Sequence, residues 1–384
     1  MTRYVIFRTE DVLLNTVAYD HQIFTEQQVG GVSRYFCEIA SRVPQQAGWR
    51  SRIIAPLHYN DHLAESAAPL LGTYLPMRWG YNGRIHRLLN KRLSPLLLRA
   101  VRADLLHRTY YSPRPTPPRG RLVITVFDMI HELFPQHFPS SDKTGELKRR
   151  CVSAADHLIC ISHSTAEDLV RILDVPRSKI TVTHLGYSES ISAPFRDEES
   201  QHKSGSRPYL LFVGRRHGYK NFARLLEVYA ASSRLSRDFD LVAFGGVPFT
   251  AAELQRVAAL KLRDGAVRRE TGSDADLALA YAGAHAFVYP SEYEGFGMPP
   301  LEAMSRGCPV ACSSTSSIPE VVGAAGEYFD PSSIDSIRSA LERLAYDDSR
   351  REALIRAGHA QREMFSWNRC ASETVAAYSK ILTA

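Results

Sequence analysis

The chain has 384 residues, 44% hydrophobic and 23% charged, an ordinary globular balance that excludes a disordered or fibrous protein. At about 150 residues per domain this length predicts two domains. The net charge of +6 and pI near 9.0 are a mild basic excess, suited to phosphorylated substrates or an anionic bilayer; no nucleic-acid partner is expected.

Residues 1–7 run into Glu10 and Asp11 and form no signal-peptide core, and no run of about 18 apolar residues predicts a membrane span. Cys37, Cys151, Cys160, Cys308, Cys312 and Cys370 lack zinc spacing and disulfide density. Plain buried thiols in a reducing cytoplasm are the expectation.

Short apolar strands alternate with helical patterns from end to end, which predicts an α/β protein with parallel sheets. Residues 16–19 form a strand, Gly30 and Gly31 break the chain, and Val32, Tyr35, Phe36 and Ile39 give 32–43 a helical period. Residues 122–127 and 157–161 are buried strands, the second followed by a helix capped within 162–164. Residues 188–208 are polar and rich in Ser, Gly and Pro, which places a linker at 191–207 between domains at 1–190 and 208–365. The second alternation has strands at 209–213, 241–244, 286–290 and 309–312, with helices at 221–231, 276–284 and 301–305. Sheets of this kind bind ligands beyond the carboxyl ends of their strands, so two of them invite a shared cleft.

The most informative segment is YPSEYEGFGMPPLE, residues 289–302. A strand ends, Gly295 and Gly297 allow close backbone approach around Phe296, and Pro299 and Pro300 suit the first turn of a helix. The free N–H groups and dipole of that helix favour a phosphate. Glu302, one turn in, is shaped to accept two hydrogen bonds from a ribose diol, and Glu294 is free to face another part of the ligand.

Glu294 and Glu302 stand seven residues apart in EGFGMPPLE, which resembles the E-x7-E signature of the retaining glycosyltransferases of family 4. The flanks SDADLALAYAGAHAFVYPS, EAMSRGCPVACSSTSSIPEVVG and GEYFDP follow the family's order over about 60 residues. The resemblance implies a GT-B fold: two Rossmann-like domains facing across a cleft, with a last helix at 366–384 crossing back to the first domain. In FVGRRHGYKN, Gly214, Arg215 and Lys220 follow a strand and resemble the family's G-R…K-N grip on the donor pyrophosphate. Arg216 and His217 are expected to face solvent.

QVGGVSRY resembles the family's N-terminal loop, with Gly30 and Gly31 facing the donor phosphates and acceptor. In TVFDMIHELFP many relatives carry a His-Asp pair; here Phe127 stands at the His position, Asp128 remains, and His131 is a candidate substitute. Asp128, His131 and Glu294 are thus the catalytic candidates. His107–Tyr111 either lines the acceptor side or packs inside. Arg84, Arg87, Lys91 and Arg92 in WGYNGRIHRLLNKR offer a basic helix face for a membrane surface or acceptor. Asp274-Ala-Asp276 stands where Ser273 or Asp274 would cap a helix and is not read as a divalent-ion motif, so no metal and no cofactor beyond the donor are expected.

The implied reaction moves a sugar from a nucleotide diphosphate with retention. The N-terminal loop and the TVFDMIHELFP segment resemble bacterial O-antigen, capsule and exopolysaccharide transferases, which points to GDP-mannose as donor. A saccharide or polyprenyl-linked oligosaccharide at the inner leaflet is the expected acceptor. A GT-B epimerase and a non-catalytic nucleotide-sugar-binding partner are the competing readings.

Overall fold

The computed structural model describes residues 14–76, 84–112, 120–187 and 207–383. Its first sheet contains β1 (Asn15–Tyr19), β2 (Trp49–His58), β3 (Leu70–Tyr74), β4 (Leu105–Arg108), β5 (Arg121–Val126), β6 (His157–Cys160) and β7 (Ile180–Val182). Their order is β3-β2-β1-β4-β5-β6-β7, and every pairing is parallel. The second sheet contains β8 (Tyr209–Val213), β9 (Asp240–Phe244), β10 (Val267–Glu270), β11 (Ala286–Tyr289), β12 (Val310–Ser313) and β13 (Gly326–Phe329), in the order β10-β9-β8-β11-β12-β13. These pairings are parallel as well.

Central strands such as β4, β6, β9, β11 and β12 are buried along their whole length, because helices cover both sheet faces. That burial is why mostly apolar runs marked β6, β9, β11 and β12 in the sequence, whereas β4, Leu-Leu-His-Arg, was not read as a strand. The more polar strands were harder to see: edge strand β10 is Val-Arg-Arg-Glu, and β2 interleaves Arg50 and Arg52 with its inward side chains. The interdomain segment expected at 191–207 lies outside the described residues apart from Arg207.

The expected caps form. Ser162 accepts from the N–H of Thr165, 3.0 Å away, at the start of the helix His163–Leu173. Ser273 and Asp276 form a reciprocal capping box on the helix Asp274–Gly283.

The last helix, Trp367–Thr383, returns to the first domain and packs on the helix Gly31–Arg42. Its Tyr378 hydroxyl reaches Tyr19 on β1 at 3.2 Å and Nδ1 of His107 on β4 at 2.5 Å. The network continues from His107 Nε2 to Thr125 Oγ1 at 2.8 Å, and from Thr125 to the Tyr35 hydroxyl at 3.0 Å. His107 is fully buried, and burial pushes its pKa down to about 3. With Tyr111 also buried, the packing alternative holds for His107 and Tyr111, and neither lines an acceptor surface.

Removing the Tyr378 hydroxyl leaves His107 short of a partner in a dry core. Tyr378→Phe is expected to cost on the order of 1–3 kcal/mol, read as a lower urea midpoint. An unchanged midpoint would show that the network contributes nothing to stability.

Candidate active site

The loop after β11 is tied down before it enters the helix Met298–Ser305. The Glu294 N–H donates to Ser316 Oγ at 2.9 Å, and the Ser317 hydroxyl donates to the carbonyls of Glu294 and Phe296 at 2.8 and 2.7 Å. Gly297 caps the helix with a φ of +128°, a conformation that disfavours side chains, and Pro299 and Pro300 fill the first turn as expected. After β8, Gly214 takes a φ of +115°, and a short turn at Gly218–Lys220 carries the lysine. Asn221 Nδ2 donates to the carbonyls of Pro290 and Pro331 at 3.2 and 2.9 Å, which fastens that turn to the loop after β11.

The consequence is a close ion pair. Lys220 Nζ lies 2.7 and 2.9 Å from the two oxygens of Glu294. Glu294 is 7% exposed, so the pair is largely withdrawn from water. Glu302 is equally buried but has no cation in hydrogen-bond contact among the described residues; it accepts from the Tyr281 hydroxyl at 3.3 Å. Burial pushes its pKa up to about 7, against the opposing field of Arg34.

The first domain closes over this site. A Cβ on Gly31 would lie 2.9 Å from Met298 Cε, so the starts of the helices Gly31–Arg42 and Met298–Ser305 meet across the cleft. A Cβ on Gly295 would lie 1.8 Å from the Phe127 carbonyl oxygen and 3.1 Å from Asp128 Cβ. Only glycine permits that approach, and it sets Asp128 beside the Glu294 loop. Arg34 spans the cleft to Asp274 at 3.1 Å. The sequence reading passed over Arg34; the signal was its place one turn after the glycine pair.

Phe127, at the departure from the family pattern, turns its ring edge-on to Tyr35, with centroids 5.3 Å apart. Asp128 Oδ1 accepts from the Ile130 N–H at 3.0 Å, and its carbonyl accepts from Lys148 Nζ at 2.9 Å. His131 stacks on Phe138 at 4.0 Å, with Nε2 3.7 Å from Asp142. These neighbours belong to the first domain, and the structure does not bring His131 into the Lys220–Glu294 group. Arg215 is exposed beside a cavity of about 640 Å³ that Gly246, Val247 and Arg256 also line.

Arg216 corrects an expectation. It is buried: its Nε donates to Glu253 at 2.8 Å, one Nη donates to the Val247 carbonyl at 2.7 Å, and the guanidinium lies 4.5 Å over the Phe249 ring. The neighbouring His217 does face solvent. Asp274, assigned to capping, also serves as Arg34's cross-cleft partner.

Two facing parallel α/β domains with a loop-lined cleft and a returning C-terminal helix define a GT-B glycosyltransferase. Residues 29–191 match the family described as Glycosyltransferase Family 4, and residues 195–361 match Glycosyl transferases group 1. O-antigen chain mannosyltransferase B of Escherichia coli is 31% identical over 304 residues, covering 76% of this chain and 78% of that protein. The MMP alpha-(1->4)-mannosyltransferase of Mycolicibacterium hassiacum is 29% identical over 244 residues, covering 62% of this chain and 57% of that protein. Among solved structures, Anabaena Alr3699/HepE in complex with UDP and glucose shares the fold, with a TM-score of 0.71 at 16% identity over 95% of this chain and 99% of that one. The chain belongs to glycosyltransferase family 4, in the company of O-antigen mannosyltransferases.

Glu302 carries a pH prediction. A raised pKa means that Glu302 holds a proton below about pH 7, whereas the ribose contact that the family resemblance implies for it calls for the carboxylate. Nucleotide diphosphate affinity is therefore lost as pH falls through that value. It is expected to rise about tenfold between roughly pH 6 and 8, as a shift of a unit or more dictates. Calorimetric titration across that range checks it, with Glu302→Gln removing the trend that the phosphate's own ionisation does not explain.

Proposed function

We propose that this glycosyltransferase transfers mannose from GDP-mannose, with retention, to a hydroxyl of a saccharide or polyprenyl-linked oligosaccharide in surface polysaccharide synthesis. The single observation that carries the chemistry is the Lys220–Glu294 pair at the meeting of two helix starts. A pyrophosphate entering there is attracted by both helix dipoles and competes with Glu294 for the lysine. As Lys220 turns to the phosphate, Glu294 is released to accept hydroxyl groups of the donor sugar. Arg215 adds a second cation from the same strand end. Charge that builds on the leaving phosphate meets preorganised donors, the largest usual contribution to rate. The leaving phosphate oxygen is positioned to accept the acceptor's proton, and Asp128 faces the reacting sugar from the first domain. No metal is assigned to this chemistry. The named mannosyltransferase relatives support mannose as the sugar.

The helix Arg84–Val101 supports a place at the inner leaflet. It exposes Leu88, Leu89, Leu93 and Leu96 beside Arg87, Lys91, Arg92 and Arg99, a pairing of apolar and basic groups suited to an anionic bilayer. Trp79 and its neighbours up to residue 83 lie outside the described residues. Among the described residues no helix is long and apolar enough to cross a membrane.

Thermal shift with GDP and turnover with GDP-mannose separate the roles. Lys220→Ala and Glu302→Ala are each expected to erase most of the GDP shift, about 2.7 kcal/mol for wild type at 100 times Kd. Glu294→Ala frees Lys220, so it keeps or strengthens GDP binding while turnover falls about a hundredfold or more. Equal loss of GDP binding in all three variants contradicts this division of labour. Sedimentation with vesicles tests the docking helix: binding to phosphatidylglycerol vesicles but not to phosphatidylcholine is expected, and the double variant Leu93→Asp with Leu96→Asp should abolish it.

A further inference from the structure

A second polar cluster bridges the domains behind the donor loop. Glu320, on the short helix Ile318–Val322 of the second domain, caps the first-domain helix His163–Leu173. Its carboxylate accepts from the His163 N–H at 2.8 and 3.0 Å and from the Ser164 N–H at 3.3 Å. His184 Nε2, also of the first domain, lies 2.6 Å from Glu320 Oε1. The exposed imidazole of His163 stands over that of His184, with ring centroids 5.7 Å apart. One ligand atom from each of His163, His184 and Glu320 falls within 4.8 Å of the others.

We propose that these three side chains form a binding site for a divalent transition metal of the zinc class, which fastens the two domains together. Two imidazoles and a carboxylate are a donor set that such ions take, leaving a fourth position for water. Tetrahedral zinc with bonds near 2.0–2.1 Å needs its ligand atoms about 3.3 Å apart, so His184 and Glu320 have to open from 2.6 Å while rotation of the exposed His163 ring brings its nitrogen in. The carboxylate is already oriented by the two helix N–H groups, and the His184 ring is set between Phe296 and Phe365, at 6.0 and 5.7 Å. Such outer contacts hold ligands in place before the ion arrives. Zinc takes the position of the proton shared by His184 and Glu320. The three ligands do not include Lys220, Glu294 or Glu302. The site's link to the cleft is mechanical: Glu320 follows Ser317, whose hydroxyl holds the carbonyls of Glu294 and Phe296. A bound ion therefore ties the donor loop to the first domain and favours the closed arrangement.

The His163 ring separates metal binding from the carboxylate cap. His163→Ala removes an imidazole but keeps the backbone N–H that Glu320 accepts. Chelator-treated full-length protein is titrated calorimetrically with zinc chloride, and its thermal midpoint is followed in parallel. Wild type is expected to have a site of unit stoichiometry that raises the midpoint. In His163→Ala and in His184→Ala that site should weaken at least tenfold and its thermal shift should vanish, while His163→Ala without metal melts like wild type. Zinc binding of unchanged affinity in both variants, or no such site in wild type, overturns the proposal. So does a site lost in both variants without any effect of zinc on the wild-type midpoint.

Discussion

Everything at this site follows from the cost of placing negative charge in a cleft that closing domains strip of water. A pyrophosphate there needs positive partners supplied in advance. The chain provides them as the starts of two helices, one from each domain, meeting at Gly31 and Met298, together with Lys220 at the end of β8. In the absence of a donor the lysine is not left bare, because Glu294 neutralises it at 2.7 Å. A buried pair of this kind stabilises little by itself, since desolvation offsets attraction, but it keeps both charges aimed at the place where the ligand arrives.

Closeness is the second requirement, and glycine satisfies it. The backbone after β11 approaches the carbonyl of Phe127 so nearly that a methyl group on Gly295 would overlap it. Phe127 bears on the same contact from the other side. The Phe127 ring stands edge-on to Tyr35 and packs against the core of the first domain. Asp128, the polar group that remains at that strand end, is held in position by Lys148 and the Ile130 N–H. His131 stacks on Phe138 and approaches Asp142, away from the Lys220–Glu294 pair.

Rigidity comes from farther away. The C-terminal helix returns to the first domain and ends a buried chain of hydroxyl and imidazole groups through Tyr19, Tyr378, His107, Thr125 and Tyr35. Tyr35 lies in the helix Gly31–Arg42, so the network that anchors the last helix also holds the helix whose start meets Met298 across the cleft. Glu320 and Arg34 add polar ties between the domains at two other places. Opening the cleft must break both.

The sequence by itself determined the parallel α/β architecture, since most of the buried strands are written as mostly apolar runs. It also determined the glycine-proline loop and the spacing of Glu294 and Glu302, because turn chemistry and helix starts depend on neighbours a few residues away. Only the tertiary structure decided that Lys220 and Glu294 are partners across 74 positions, that Arg216 is buried over Phe249, and that Arg34 crosses to Asp274. It also decided that Glu302 keeps its proton to about pH 7. Burial and charge pairing are sums over neighbours brought together through space, and local pattern carries no record of which distant segment will be the neighbour.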